Sequence, residues 1–252
     1  MLPVGVQGRS HRVMSPMRGQ PDPVPDHFRQ LTAAAAVLSG VAGYVNAVTI
    51  AGVLHVPSTH MSGTATRISI DFVTATDTST LLRDAAMVIA FVFGAAVSGA
   101  LLDSTRLRLG RRYGMLLVLE ATMLLVAWLI LASGSQNYLP VVALAAGLQN
   151  ALATQFSRAT VRTTHMTGIL TDLGIAFGKW ISRRGVTRWR VILYLSIFAG
   201  FISGGAAGAA MSIVLRDHAL FIPIAITGIG GAAYWTWQFR AQKPVGRRGD
   251  IR

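Results

Sequence analysis

Two histidines, His60 and His165, occupy the same place in a phrase that the chain writes twice. Thr59-His60-Met61-Ser62-Gly63-Thr64-Ala65-Thr66 returns 105 positions later as Thr164-His165-Met166-Thr167-Gly168-Ile169-Leu170-Thr171. Each copy offers a titratable imidazole, a hydroxyl two residues on (Ser62, Thr167) and one charge seven residues on (Arg67, Asp172). On a helix, His60, Thr64, Arg67 and Asp71 share a face, and His165, Asp172 and Lys179 share the corresponding one. Upstream, Asn46 and the pair Gln149-Asn150 supply amides, and Glu120 supplies a carboxylate between the two copies.

These groups suit the coordination of a polar solute or ion and the carrying of a proton. They do not suit covalent chemistry. Neither histidine has a His or a carboxylate three or four residues away, so a helical metal site is not expected. No Gly-x-Ser-x-Gly elbow occurs, and the chain has no Cys. The expectation is therefore no catalytic residue, no metal and no cofactor, in a protein that is not an enzyme.

The elements that must position these residues are duplicated too. Ile70 and Phe72 fall on Ile175 and Phe177 at the same offset, and Phe93, Val97, Ser98 and Gly99 fall on Phe198, Ile202, Ser203 and Gly204. Shifted by one, Gly43-Tyr44-Val45-Asn46-Ala47 matches Gly147-Leu148-Gln149-Asn150-Ala151. A period this long means two homologous halves, not a solenoid.

Composition names the solvent. Of 252 residues 52% are hydrophobic and 13% charged, with a mean hydropathy of +0.50. A soluble domain carries about 25% charged residues, so the expected surroundings are a lipid bilayer. The net charge of +13 could serve nucleic acid or anionic lipid, but the basic residues lie in short loops and tails between apolar runs. No nucleic-acid partner is expected.

A spanning helix needs about 20 mostly apolar residues. Stretches 31–54, 85–102, 113–132, 138–156, 191–215 and 219–239 meet or approach that, the third if Glu120 is tolerated and the fourth despite Gln149 and Asn150. The predicted fold is all-α: a polytopic membrane protein of six transmembrane helices. Its first repeat is 31–133 and its second 138–240, with a disordered tail over 1–30 and a basic tail over 241–252. A cleaved signal peptide at the start is disfavoured, because the apolar run begins late and is too long.

Orientation follows from Lys and Arg, which stay on the cytoplasmic side. All 23 lie in the two tails, at Arg240 beside the second of them, in the 103–112 loop or in the 157–190 loop, except Arg67, Arg83 and Arg216. Both termini are thus expected in the cytoplasm. Three spans per half then turn the second half over, giving a 3+3 inverted repeat as in many secondary transporters. The rival has four spans per half, with each motif crossing the membrane, and it exports the four Arg of the 103–112 loop.

Each motif reads as a break followed by a helix. Pro57 ends the first helix and Thr59 or Ser62 can cap the next, with Thr163, Thr164 and Thr167 offering the same in the second copy. Two placements remain open. Re-entrant helices would aim free N–H groups and positive dipole ends at a polar ligand near the midplane. Interfacial amphipathic helices would simply face solvent and head groups. Arg67 and Asp172 pair only if the two helices overlap side by side. Gly43, Gly147, Gly200, Gly204 and Gly208 read as close-packing residues, while Asn46 and Asn150 could bridge helices or hold a ligand. Glu120 is either a functional carboxylate within a span or an interfacial one reaching Arg111 or Arg112.

The paired motifs, Gly-Tyr-Val-Asn-Ala with His-Met-Ser-Gly-Thr and Gly-Leu-Gln-Asn-Ala with Thr-Thr-His-Met-Thr-Gly-Ile-Leu-Thr-Asp-Leu, resemble the YoaK-like family of bacterial integral membrane proteins. The likeness covers roughly 31–239 and implies a multi-pass protein of the bacterial inner membrane, with no settled activity to inherit. Two functions stay in play. One is a secondary transporter of a small solute or ion, anionic where helix starts receive it and proton-coupled where His or Glu120 titrates. Its pathway would be lined by Asn46, His60, Ser62, Arg67, Glu120, Gln149, Asn150, His165, Thr167 and Asp172. The other is a non-transporting membrane protein, either a lipid-acting enzyme or a structural partner.

Overall fold

A computed structural model describes residues 24, 27–52, 55–75, 77–102, 111–156 and 162–241. Most of both expected tails, Arg106 and Arg108 of the 103–112 loop, and Arg158 lie outside these residues. Among the described residues the chain is all-helical. The helices are α1 (Phe28–Ala51), α2 (Met61–Thr74), α3 (Thr78–Leu101), α4 (Arg111–Ala132), α5 (Tyr138–Phe156), α6 (Met166–Ile181), α7 (Arg188–Leu215) and α8 (Phe221–Ala241). A 3-10 turn, Arg216–Leu220, joins the last two.

Among the described residues, four helical stretches are long and apolar enough to cross a membrane. They are Phe28–Ala51, Thr78–Leu101, Arg112–Ala132 and Arg188–Arg240, the last taking in α7 and α8. Large apolar side chains point outward along them, among them Ile89, Val92, Phe93, Ile213 and Ile229. In water such a surface would be a liability; against acyl chains it costs nothing.

Two helix starts differ from the apolar runs. α1 begins at Phe28, within the stretch expected as tail, because the Phe28 ring packs edge-on against Trp189. α3 begins at Thr78, seven residues before the uncharged run at 85. Its first turn is capped by Asp77, which accepts from the Ser79 amide. Asp84, inside that extension, is fully buried yet met by two arginines.

The halves exchange helices. α1 packs chiefly along α7 and α3 chiefly along α5, so each half lays its first helix on the other half's third. Small residues permit the approach. A Cβ on Gly200, Gly204 or Gly208 would run into the carbonyl oxygens of Ala36, Gly40 and Tyr44, and contacts that climb together along both helices make them parallel. The other pair repeats the arrangement: Gly43 abuts the Phe201 carbonyl and Gly147 that of Phe91, while Gly204 abuts Gly40 and Gly94 abuts Leu144.

Those contacts correct the sequence alignment of the third helices. Gly204 plays the part of Gly94 and Phe201 that of Phe91, so the offset there is 110 and not 105. From the start of α6 to the start of α7 is 22 residues, against 17 from α2 to α3, and the extra five shift the register. The chance match of Ser98-Gly99 with Ser203-Gly204 hid the insertion.

Candidate functional site

After α1 ends at Ala51 the chain turns back along it before α2 begins. The return is fastened by hydroxyls. Thr59 Oγ1 donates to Asn46 Oδ1 at 2.9 Å, and Thr49 Oγ1 lies 3.0 Å from Ser58 Oγ. Val56 is buried in the same apolar cluster as Val41, Val45 and Met87. Since Asn46 stands five residues before the end of α1, the chain has come back about 7 Å along the helix axis by Thr59. The second copy repeats the tie: Thr163 Oγ1 donates to Asn150 Oδ1 at 3.5 Å, again across 13 residues.

This use of the hydroxyls changes what happens at the helix starts. Thr59 and Ser62 were the alternative caps expected for α2, but the Thr59 side chain is spent on Asn46. Neither α2 nor α6 receives a side-chain cap; His60 and His165 occupy the two N-cap positions without capping. The first-turn amides of both helices therefore lack intrahelical acceptors and are left for another partner.

His60 Nδ1 lies 3.1 Å from Thr59 Oγ1 and 3.4 Å from Asn46 Oδ1, and its ring meets Phe201 edge-on at 5.6 Å. His165 is more exposed and folds over Gly168, where a Cβ would strike the ring. Both histidines line one cavity of about 680 Å³. Ser62, Thr164 and Thr167 contribute hydroxyls to it, Asn150 and Gln155 amides, and Phe91 an aromatic wall. Its permanently charged lining residue is Arg162. A second cavity of about 450 Å³ shares Arg162, His165 and Thr167 with the first and runs along α6 to Asp172 and Tyr194.

Of the residues singled out in the sequence, His60, Ser62, Asn150, His165 and Thr167 come together around the larger cavity, with Asn46 behind His60. Asp172 lines the smaller one. Arg67 lines neither; its Nε is 2.8 Å from Asp84 Oδ2 on α3. Gln149 is buried beside Asn150 but is not part of the cavity wall. Glu120 is buried in the middle of α4, also away from both cavities.

Sequence reasoning passed over Arg162 and Asp84, and it read Thr59 and Thr163 as caps and not as ties to Asn46 and Asn150. Arg162 was counted only among the cytoplasmic loop charges. Its place three residues before His165, where the first copy has Pro57 three before His60, was the available signal.

Apolar helices presenting lipid-compatible faces around buried polar groups define a multi-pass helical membrane protein. The chain belongs to the family described as protein of unknown function DUF1275, whose family model matches residues 34–233 and so takes in both motif copies and Glu120. A search of curated proteins and one of solved structures found no match.

Proposed function

We propose that the protein is a secondary transporter of a small polar solute, with the cavity between the two motif starts as its solute site. One observation carries this: the beginnings of α2 and α6, far apart in sequence, line the same cavity with both histidines. Motif helices of 14 and 16 residues, short of the ~20 that a span needs, support six spans arranged as a 3+3 inverted repeat. Uncapped helix starts together with Arg162 favour an anion, such as a small carboxylate. In this reading the motif helices are re-entrant, both termini are cytoplasmic in a bacterial inner membrane, and the smaller cavity is the vestibule on the cytoplasmic side. His60 or His165 can carry a coupled proton.

Solute flux into proteoliposomes tests the reading. A panel of small carboxylates and inorganic anions is offered with and without a pH gradient. Saturable uptake of one of them, accelerated by the gradient and lost in a His60→Ala/His165→Ala variant, is the expected result. No flux of any solute, with intact folded protein, overturns it and favours the alternative of a non-transporting membrane protein, a structural partner or a lipid-acting enzyme.

A further inference from the structure

The two halves differ where α8 should meet α1. α4 packs along α5, but α8, which occupies α4's place in the second half, barely touches α1. The gap is a cavity of about 550 Å³, within the range of small-molecule sites. Leu38, Leu117 and Leu152 form its apolar wall, and Tyr113, Tyr234 and Trp237 surround it with rings. It shares no residue with the cavities at the motifs.

The lining of the cleft stops short of a buried charge. Tyr113, Leu117 and Glu120 lie on one stripe of α4 (i, i+4, i+7), and Glu120 is about 4.5 Å deeper along the axis than Leu117. Glu120 is 2% exposed, and its Oε2 has no hydrogen-bond partner among the described residues. On α5, Gln149 stands one turn beyond Leu152 with a buried Nε2 likewise unpartnered. A carboxylate in such a place demands a proton or a cation. Among the described residues the surrounding elements supply no cation at its depth. α5 has no charged residue, Arg240 is at the far end of α8, and Arg111 and Arg112 open α4. Arg216, Asp217 and His218 belong to the turn at the other end, where His218 packs on Trp128, eight residues past Glu120. His27 is at the mouth of the cleft, with Arg29 close by in sequence.

We propose that this cleft binds a lipophilic organic cation, with aromatic faces around its apolar body and Glu120 as its counter-charge. Aromatic rings attract cations over their faces, and an apolar channel excludes small hydrated ions while admitting a delocalised charge. A proton competes for the same carboxylate, so binding weakens as pH falls. The site is independent of the solute cavity and of whether that cavity transports.

Tetraphenylphosphonium and tetraphenylborate, matched in shape and opposite in charge, decide it by equilibrium dialysis against the full-length protein in nanodiscs. Saturable binding of the cation is expected, with about tenfold or greater preference over the anion and a similar loss in Glu120→Gln, the size of one charge-assisted contact. Ala34→Trp, which fills the cleft without touching the carboxylate, should abolish binding, and His60→Ala should leave it unchanged. Should Glu120→Gln fail to fold, the cation-to-anion ratio and Ala34→Trp still decide. Equal binding of the two ions, cation binding that survives Glu120→Gln or Ala34→Trp, or no saturable binding overturns the proposal.

Discussion

Arg67 and Asp84 are joined at 2.8 Å, and the positions equivalent to them in the second half are Asp172 and Tyr194, which line one cavity together and interact there, with Arg190 also reaching the Tyr194 hydroxyl. The same two places thus tie each motif helix to the third helix of its own half, by a charge pair in one copy and a charged–neutral pair in the other. The sequence made Arg67 and Asp172 look like candidates for each other; each has a partner nearer home.

The two ties should respond differently to truncation. Arg67→Ala leaves Asp84, fully buried, with only Arg83 at 3.7 Å, and should cost about 3 kcal/mol of stability. Asp172→Ala removes a partner from a neutral hydroxyl and should cost about 1 kcal/mol. Thermal unfolding in detergent reads both. Restoration of the first loss by adding Asp84→Asn would show that the stranded carboxylate is the cause, whereas an Arg67→Ala protein as stable as wild type would remove the tie from the account.

Glycine substitutions should divide by place and not by residue type. At Gly43 and Gly147 a new Cβ meets the carbonyl of Phe201 or Phe91, backbone that cannot step aside. Alanine at either should therefore cost about 1–3 kcal/mol, as overpacking does. Gly63, inside the motif itself, has open space around the same position, so Gly63→Ala should fold with wild-type yield. Folded yield by size-exclusion chromatography separates the two groups; equal behaviour of all three variants contradicts the close approach.

The helices were readable because apolar length is a strong signal, and the duplication was readable because His-Met-x-Gly is rare enough to catch the eye. The exchange of helices between halves was not. Nothing in the spacing of Gly40, Gly43 and Gly204 says which helix each glycine admits. The register of the third helices was hidden by five extra residues before α7 and a coincidental Ser-Gly. Asp84 was missed because a search for uncharged runs discards the turn of α3 that holds it. Glu120 was legible as a charge out of place, but its separation from the motif cavity depends on which face of α4 turns toward α8 and α5, and periodicity in an all-apolar helix does not say.

Topology is testable without background, since the chain has no Cys. The turn at Ser135 should label from outside as Ser135→Cys, and Gly185→Cys, after α6, only when the membrane is opened. The motive is the crowding of Lys and Arg on one side. Labelling of Gly185→Cys by an impermeant maleimide in intact cells would sink the six-span arrangement, and failure of Ser135→Cys to label until the membrane is opened would revive four spans per half.

Arg162 makes the two motif copies unequal at the cavity they share. It lines both that cavity and the smaller one running toward Asp172, while the first copy has Pro57 in its place. Among the described residues the permanent cation in the cavity wall thus comes from the second copy. In the proposed orientation that copy's approach is the cytoplasmic one, because α6 leads from His165 toward Arg183 and Arg184. An anion arriving there would meet Arg162 first, then His165, then the uncapped starts of α6 and α2. Arg162→Lys keeps the charge and should keep most of the affinity. Arg162→Gln removes it and should weaken binding of a small carboxylate about tenfold, the worth of one charge-assisted hydrogen bond. Arg162→Cys should react with a charged methanethiosulfonate from the cytoplasmic face of inside-out vesicles, more slowly when the carboxylate is present. If Arg162→Cys reacts only from the opposite face, the vestibule has been assigned to the wrong side. Should Arg162→Gln bind the carboxylate as tightly as wild type, the cavity does not use this charge and the anionic preference fails.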